Sequence, residues 1–341
     1  MQGDAYRESI RKVAHAVRDC LPQNIGRLFA EHSGMTRGDF FPVSPRRDGV
    51  IRAVDGSNAT VMESGSMAVV AARAGFSSFS GEKRLPGGLT PLLLLQAGRR
   101  DAEREFSVQY GECFGSPPRS PLRVDDTSRA AAAMRDTLEY WVASVCAGQQ
   151  ERGGLLLLDG ALRVSEESHD PVLVAIIREC QSRGVGLAAV SKRTAATWGE
   201  RYPLLPAVRA LSRDLGVSPP WWTRIDEEIL DRTRYSQWEH GDIFVCSLAR
   251  GNALPLKVEL PRGCDDVTAH AVFSLLSGFS DDARAEGYPY PLLDAHRNVV
   301  ITADLLEQIR SDLLSGFAEE GLLARDIGEL FGDYHDTFRR Y

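Results

Sequence analysis

Four consecutive leucines, Leu155–Leu158, constrain the fold of this chain more than any other stretch. A strand with one wet face alternates apolar and polar residues. A run that is apolar at every position suits a strand covered on both faces, the usual setting of a parallel sheet between helices. The flanks agree. Thr127–Ala147 reads as a long helix with Thr127 or Ser128 at its cap, and Gly153-Gly154 resets the chain before the leucines. Asp170-Pro171 opens a second helix to about Arg183, Gly184 closes it, and Val185–Val190 is another buried strand. Residues 155–190 therefore form a strand–helix–strand unit.

The leucine run ends on Asp159-Gly160-Ala161-Leu162, and the same grammar occurs earlier, at Val50–Val54 followed by Asp55-Gly56-Ser57-Asn58. Val50–Val54 reads as a short strand. Ala59–Glu63 and Met67–Ala74 follow as neighbours joined by Ser64-Gly65-Ser66, an antiparallel meander with Asp55 on its first strand. Pro91–Gln96 suits strand or helix, and Glu105–Tyr110 alternates as an edge strand does. Ile243–Ala249 and Leu256–Leu260 pair as a hairpin, Gly287–Pro291 is a rigid loop, and Val267–Ser277 and Ala303–Leu314 are helices. The fold class is α/β: a mixed sheet flanked by helices, with helical insertions. Residues 1–44 form a helical extension whose Tyr6, Ile10, Val13, Val17 and Leu21 mark an amphipathic helix. A main domain spans 45–315 with an insertion at 194–240, and an acidic tail covers 316–341, closing on Arg339-Arg340.

The net charge of −7 supplies no global basic field, so any nucleic-acid contact uses a local surface. Only four of the 40 basic residues are lysine, a bias better assigned to genome composition than to function. The six cysteines lie far apart with no Cys-x-x-Cys pair, which disfavours a zinc ribbon and fits a reducing cytoplasm. No secretory leader and no run of about 20 apolar residues occurs, so no membrane role is expected. The absence of a P-loop, of H-E-x-x-H, of G-x-G-x-x-G opening a helix and of G-x-S-x-G disfavours the chemistries those motifs serve.

Asp55 and Asp159 are the first candidates for chemistry. Neighbouring strands lie about 4.8 Å apart, so carboxylates at their ends can share a cation. Oxygen ligands suit Mg²⁺ or Mn²⁺, and two such ions serve phosphodiester cleavage. Asp-Gly is also ordinary turn chemistry. Glu139, inside the long helix and 20 residues before Asp159, is placed to return towards the sheet; Asp136 competes from a neighbouring face. Lys192 follows a buried strand and offers a compact charge to a phosphate. It belongs to a basic group (Arg178, Arg183, Lys192, Arg193, Arg201, Arg209, Arg213) that reads either as a phosphate-tracking surface or as a solvated face. His296 closes Tyr288-Pro289-Tyr290-Pro291-Leu292-Leu293-Asp294-Ala295-His296 and is a metal ligand, a proton carrier or a structural histidine.

Taken in order, Val54-Asp55-Gly56-Ser57, the helix glutamate, Leu158-Asp159-Gly160-Ala161-Leu162, Val190-Ser191-Lys192-Arg193 and Tyr288–His296 resemble the NurA nucleases over roughly 45–315. That resemblance implies a ribonuclease H-like core and a manganese-dependent nuclease with 5′→3′ exonuclease and single-strand endonuclease activity. It further implies a ring-like homodimer that acts on DNA with a HerA-type hexameric translocating ATPase, in end resection for double-strand break repair. It places metal-ligand roles on Asp55, Glu139, Asp159 and His296, around Mn²⁺ (two ions, with Mg²⁺ as the alternative), and sets Lys192 and Tyr288 beside the substrate phosphate. The rival readings are a non-catalytic ring scaffold for a translocase and an actin-like ATP-binding protein, whose phosphate loops also carry Asp-Gly.

Overall fold

The computed structural model describes residues 2–65, 67–98, 101–122, 126–231, 238–251 and 253–332. The 232–237 part of the 194–240 segment, Ser66 of the expected Ser64-Gly65-Ser66 connection and residues 333–341, with Arg339-Arg340, lie outside the described residues.

Helix α1 (Gln2–Cys20) presents Tyr6, Ile10, Val13 and Val17 to solvent along one edge. α2 (Ile25–Ser33) ends at Gly34, whose φ of +71° is the left-handed turn that only glycine adopts cheaply. After β1 (Phe41–Pro42) come two 14-residue strands, β2 (Val50–Glu63) and β3 (Met67–Ser80), paired antiparallel along their length. The expected break at Asp55-Gly56 does not occur. Asp55 pairs with Gly75 and Gly56 with Ala74, so β2 runs straight through. Continuous ladder pairing with β3 overrides the local turn preference of Asp-Gly-Ser-Asn.

β4 (Lys83–Leu89) and β5 (Leu93–Gly98) pair with opposite ends of β3, which settles 91–96 as strand. α3 (Ala102–Phe114) replaces the expected edge strand at Glu105–Tyr110. Its buried positions Phe106, Gln109 and Tyr110 follow helical spacing, and Gln109 Nε2 donates to Met134 O while Tyr110 Oη donates to Ser168 O. α4 (Thr127–Gln149) is capped by Asp126, which accepts from Ser128 N–H.

β6 (Leu155–Asp159), α5 (Asp170–Arg183) and β7 (Gly186–Ser191) form the parallel unit, with β6 lying between β2 and β7. The leucines divide between two layers. Leu156 and Leu158 pack with Met134 and Leu138 of α4 and Leu173 of α5. Leu155 and Leu157 meet the opposite layer, built from α7 (Asp266–Gly278) and α8 (Tyr290–Val299). Each fully buried leucine contributes about 2 kcal/mol, which is why no polar residue interrupts the run. α8 begins at Tyr290 with Pro291 in its first turn, so the proline pair opens a helix.

The remaining strands are the small β8 (Thr197–Trp198) and β9 (Tyr202–Pro203) pair, followed after α6 (Leu204–Asp214) by β10 (Trp221–Ile225), β11 (Gly241–Ser247) and β12 (Leu256–Pro261). The main sheet runs β1-β10-β11-β12-β7-β6-β2-β3-β4, with β5 also on β3. Its antiparallel β4-β3-β2 arm joined to parallel β2-β6-β7 is a ribonuclease H-like core. The 194–240 segment supplies β10 to this sheet and packs α6 and Trp198 against Phe29 of α2. α9 (Ala303–Glu319) and α10 (Ala324–Phe331) place Ile309, Phe317 and Phe331 over Val61, Val69 and Ala71 of the long hairpin. No described helix is long and apolar enough to cross a membrane, and the six cysteines are free.

His169 is wholly buried between α3 and α4, with Nε2 2.8 Å from Thr137 Oγ1 and Nδ1 without a hydrogen-bond partner. Burial lowers its pKa to about 4, against the opposing charge of Asp136. The neutral ring is therefore part of the fold. The unfolded chain protonates near 6.5, so this contribution is complete above that value and is lost as pH falls towards 4. Over the window the loss reaches about 3 kcal/mol. Urea unfolding at pH 7.5 and pH 5 is expected to show a larger difference for the parent than for His169→Gln. Equal differences would mean that His169 does not carry the effect.

Candidate active site

β2 and β6 lie side by side in parallel, with Val54 opposite Leu158, so Asp55 and Asp159 are the next residues on adjacent strands. Asp55 is only 3% exposed, although β2 carries it in mid-strand. Its Oδ1 accepts from Gly56 N–H at 2.8 Å, while Oδ2 lies 2.8 Å from His296 Nδ1 and 3.4 Å from Lys192 Nζ. Lys192, just past β7, donates to Asp159 Oδ2 at 2.7 Å and lies 3.5 Å from His296 Nδ1. Four of the six residues singled out in the sequence thus meet directly, from β2, β6, the end of β7 and α8.

Glu139 reaches the same place from α4. A Cβ added to Gly56 would stand 3.0 Å from Glu139 Oε2 and 3.1 Å from Arg135 Cγ, so the bare glycine after Asp55 lets the helix side chains close on the strand. Of the two acidic candidates on this helix, Asp136 is engaged by Arg135, whereas Glu139 lies against Gly56. Burial raises the Glu139 pKa well above the carboxylate range, and the charges of Asp136, Asp55 and Asp159 add to the rise. Asp159 is also raised, first by burial and then by Asp55, against the hydrogen bond from Lys192. Burial alone would lower the Lys192 ammonium, but Asp159 and Asp55 outweigh it and raise its pKa. Three carboxyl groups crowded in this way call for positive charge.

Tyr288, on the loop before α8, completes the group. Its Oη is buried and has no hydrogen-bond partner, and burial, Asp159 and Asp55 together push its pKa upward. A buried hydroxyl without a partner is costly unless a ligand supplies one. Among the described residues no three His, Cys, Asp or Glu side chains converge into a ready metal cage. The Lys192 ammonium lies between the two aspartates and supplies the counter-charge. The donor set of Asp55, Glu139, Asp159 and His296 nevertheless fits a hard divalent cation, and the imidazole favours Mn²⁺ over Mg²⁺.

A cleft of about 710 Å³ opens from this group and is lined by Arg135, Glu139, Asp159, Arg193 and Lys257 among others. The basic group of residues 178–213 does not line it as one surface. Lys192 and Arg193 reach the site or its cleft; Arg183 instead donates to Gln150 O, near the start of β6, and Arg209 and Arg213 ride on α6. The sequence reading placed these charges by proximity in the chain, whereas the strand–helix alternation sends them to different layers.

That reading also missed the side chains that hold α8. Ser77 Oγ and Arg84 Nε both donate to Asp294 Oδ2, at 2.7 and 2.8 Å, and Asn298 Nδ2 donates to Ser77 Oγ. Arg73 of β3 donates to Val299 O and Val300 O at the end of the helix. These bonds pin α8 across β3, with His296 turned to Asp55. The available signal was the polar pair Asp294 and Asn298, four residues apart on a helix whose other face is apolar.

A family model described as the NurA domain matches residues 49–301. Comparison with curated protein sequences finds no match. Among solved structures, the NurA nuclease from Sulfolobus solfataricus is similar at 15% identity and a TM-score of 0.53, over 92% of this chain and 95% of that one. Another NurA crystal structure is similar at 11% identity and a TM-score of 0.51, over 90% of this chain and 97% of that one. At these identities the likeness is one of fold.

Proposed function

This chain belongs to the NurA domain family of nucleases, and we propose that it is a divalent-metal-dependent deoxyribonuclease whose centre is the Asp55–Asp159 pair. The observation that carries this reading is the convergence of Asp55, Asp159, Lys192 and His296 within hydrogen-bond reach, with Glu139 against Gly56. Asp55, Glu139, Asp159 and His296 would hold the cation, Mn²⁺ by preference. When bound, such a cation polarises a phosphoryl oxygen and offsets charge on the leaving oxygen. The chain's own part is positioning and charge. Lys192 and Arg193 draw a phosphate to the cleft mouth, and Tyr288 Oη donates a hydrogen bond to a phosphate oxygen. His296, whose side chain is 45% exposed, faces Asp55 Oδ2 through Nδ1 and would complete the donor set.

The same reading assigns 5′→3′ exonuclease and single-strand endonuclease activity, a homodimer, and a HerA-type hexameric ATPase as partner in DNA end resection. The test is cleavage of end-labelled single- and double-stranded DNA by the purified protein in Mn²⁺, Mg²⁺ and EDTA, with and without that ATPase. Cleavage in Mn²⁺ that EDTA stops is the expected result. No cleavage in any arm, including those with the ATPase, would leave the scaffold reading in its place.

A further inference from the structure

The loop that follows Asp159 is tied to the sheet at three points, and Leu162 O also accepts from His240 N–H at 2.8 Å just before β11. Gly160 N–H donates to Val190 O at 3.0 Å, and Ser191 Oγ donates to Gly160 O at 2.7 Å. The third tie comes from β12, where Glu259 Oε2 accepts from Leu162 N–H at 2.7 Å. Glu259 is 5% exposed, and its other oxygen lies 2.5 Å from Lys257 Nζ, a side chain itself only 14% exposed. Alternation along β12 sends Val258 and Leu260 into the apolar layer with α7, and sends Lys257 and Glu259 to the cleft side. Lys257 stands opposite Ser191 in the β12–β7 ladder, so the pair lies one strand away from Lys192. Gly241 makes room for it: a Cβ there would come within 2.9 Å of Glu259 Oε2 and 3.1 Å of Leu162 Cβ.

Two charges taken out of water seldom recover their full hydration from each other, and apolar replacements are often as stable. A buried pair in a cleft wall therefore calls for another reason. We propose that Glu259 is a positioning residue: it holds the Gly160–Leu162 loop and thereby fixes the direction in which Asp159 presents its carboxylate. This rests on the reading of Asp159 as a metal ligand. Groups behind a metal ligand typically change metal affinity or activity ten- to a hundredfold when lost.

Two double variants separate the loop hydrogen bond from the ion pair. K257M/E259Q keeps an acceptor oxygen for Leu162 N–H; K257M/E259L keeps none. Titration of each with Mn²⁺ alone, followed by calorimetry, is expected to give near-parental affinity for the first and a loss of roughly ten- to a hundredfold for the second. Hydrogen exchange of residues 159–162 is expected to accelerate only in K257M/E259L. DNA cleavage should fall in kcat more than it rises in KM. Parental Mn²⁺ affinity together with parental exchange in K257M/E259L would overturn the proposal. If the parent itself binds no Mn²⁺, the metal reading of the site fails; exchange at 159–162, which needs no metal, then decides whether Glu259 holds the loop.

Discussion

Asp55→Asn is expected to reduce DNA cleavage by at least roughly a thousandfold, about 4 kcal/mol of barrier, while the protein stays folded. The substitution keeps the shape of the side chain. The amide oxygen still accepts from Gly56 N–H, so the strand has no reason to move. What disappears is the charge that faces both Lys192 and His296 and adds to the electrostatic load on Glu139 and Asp159. A cation shared by the cluster loses an anionic ligand at the most buried position. Asp159→Asn is expected to do nearly as much damage, and the double variant little more than either, because residues that act as one unit are not additive. The measurement is single-turnover cleavage at saturating Mn²⁺, with thermal unfolding as the control for folding. An Asp55→Asn protein that unfolds at the parental temperature and retains more than about a tenth of the rate would remove Asp55 from the centre of the mechanism.

The parts of this architecture that could be read from sequence were those fixed by local periodicity. Leu155–Leu158 announced a doubly covered strand because each leucine meets a layer, and α4, α5 and β7 follow from the breaks around them. What failed was set by partners distant in the chain. Asp55-Gly56 carries turn-forming residues, yet β3 pairs across it, so the aspartate lies in mid-strand and is placed by where its parallel neighbour β6 ends. Residues 105–110 alternate loosely, and only their burial against Met134 and Ser168 shows the helical period. At the site, Asp55 and Asp159 were visible as carboxylates following apolar runs, Lys192 as a charge after a buried strand, and His296 as the close of a proline-stiffened segment. The supports were not: Arg73, Ser77 and Arg84 act on α8 from more than 200 residues away, and Glu259 acts on the Asp159 loop from 97. Local spacing marks at most the pair on α8, Asp294 and Asn298; it does not mark Arg73, Ser77, Arg84 or Glu259, which reach across from other strands.

Lys192→Met separates two roles that the geometry assigns to one ammonium group. Lys192 is the counter-charge of the aspartate pair, 2.7 Å from Asp159 and 3.4 Å from Asp55, and it stands where a divalent cation would also be attracted. Without it, the cation-free protein must hold Asp55, Asp159 and Glu139 close together with less compensation, so its unfolding temperature is expected to fall. Mn²⁺ no longer competes with a resident charge, so its affinity is expected to rise, and the thermal shift it produces grows by linkage. Cleavage is expected to move the opposite way, down roughly a hundredfold at saturating Mn²⁺, because the charge that Lys192 offers the phosphate is lost together with its charge on the acids. The two readouts decide between explanations that activity alone would merge. If Lys192 serves only as counter-ion, the variant binds Mn²⁺ more tightly and cleaves as well as the parent once loaded. If it serves only the phosphate, Mn²⁺ affinity is unchanged and the rate falls. Tighter binding with slower cleavage requires one lysine to do both, released from the acids as the cation enters and free to meet the phosphate that follows.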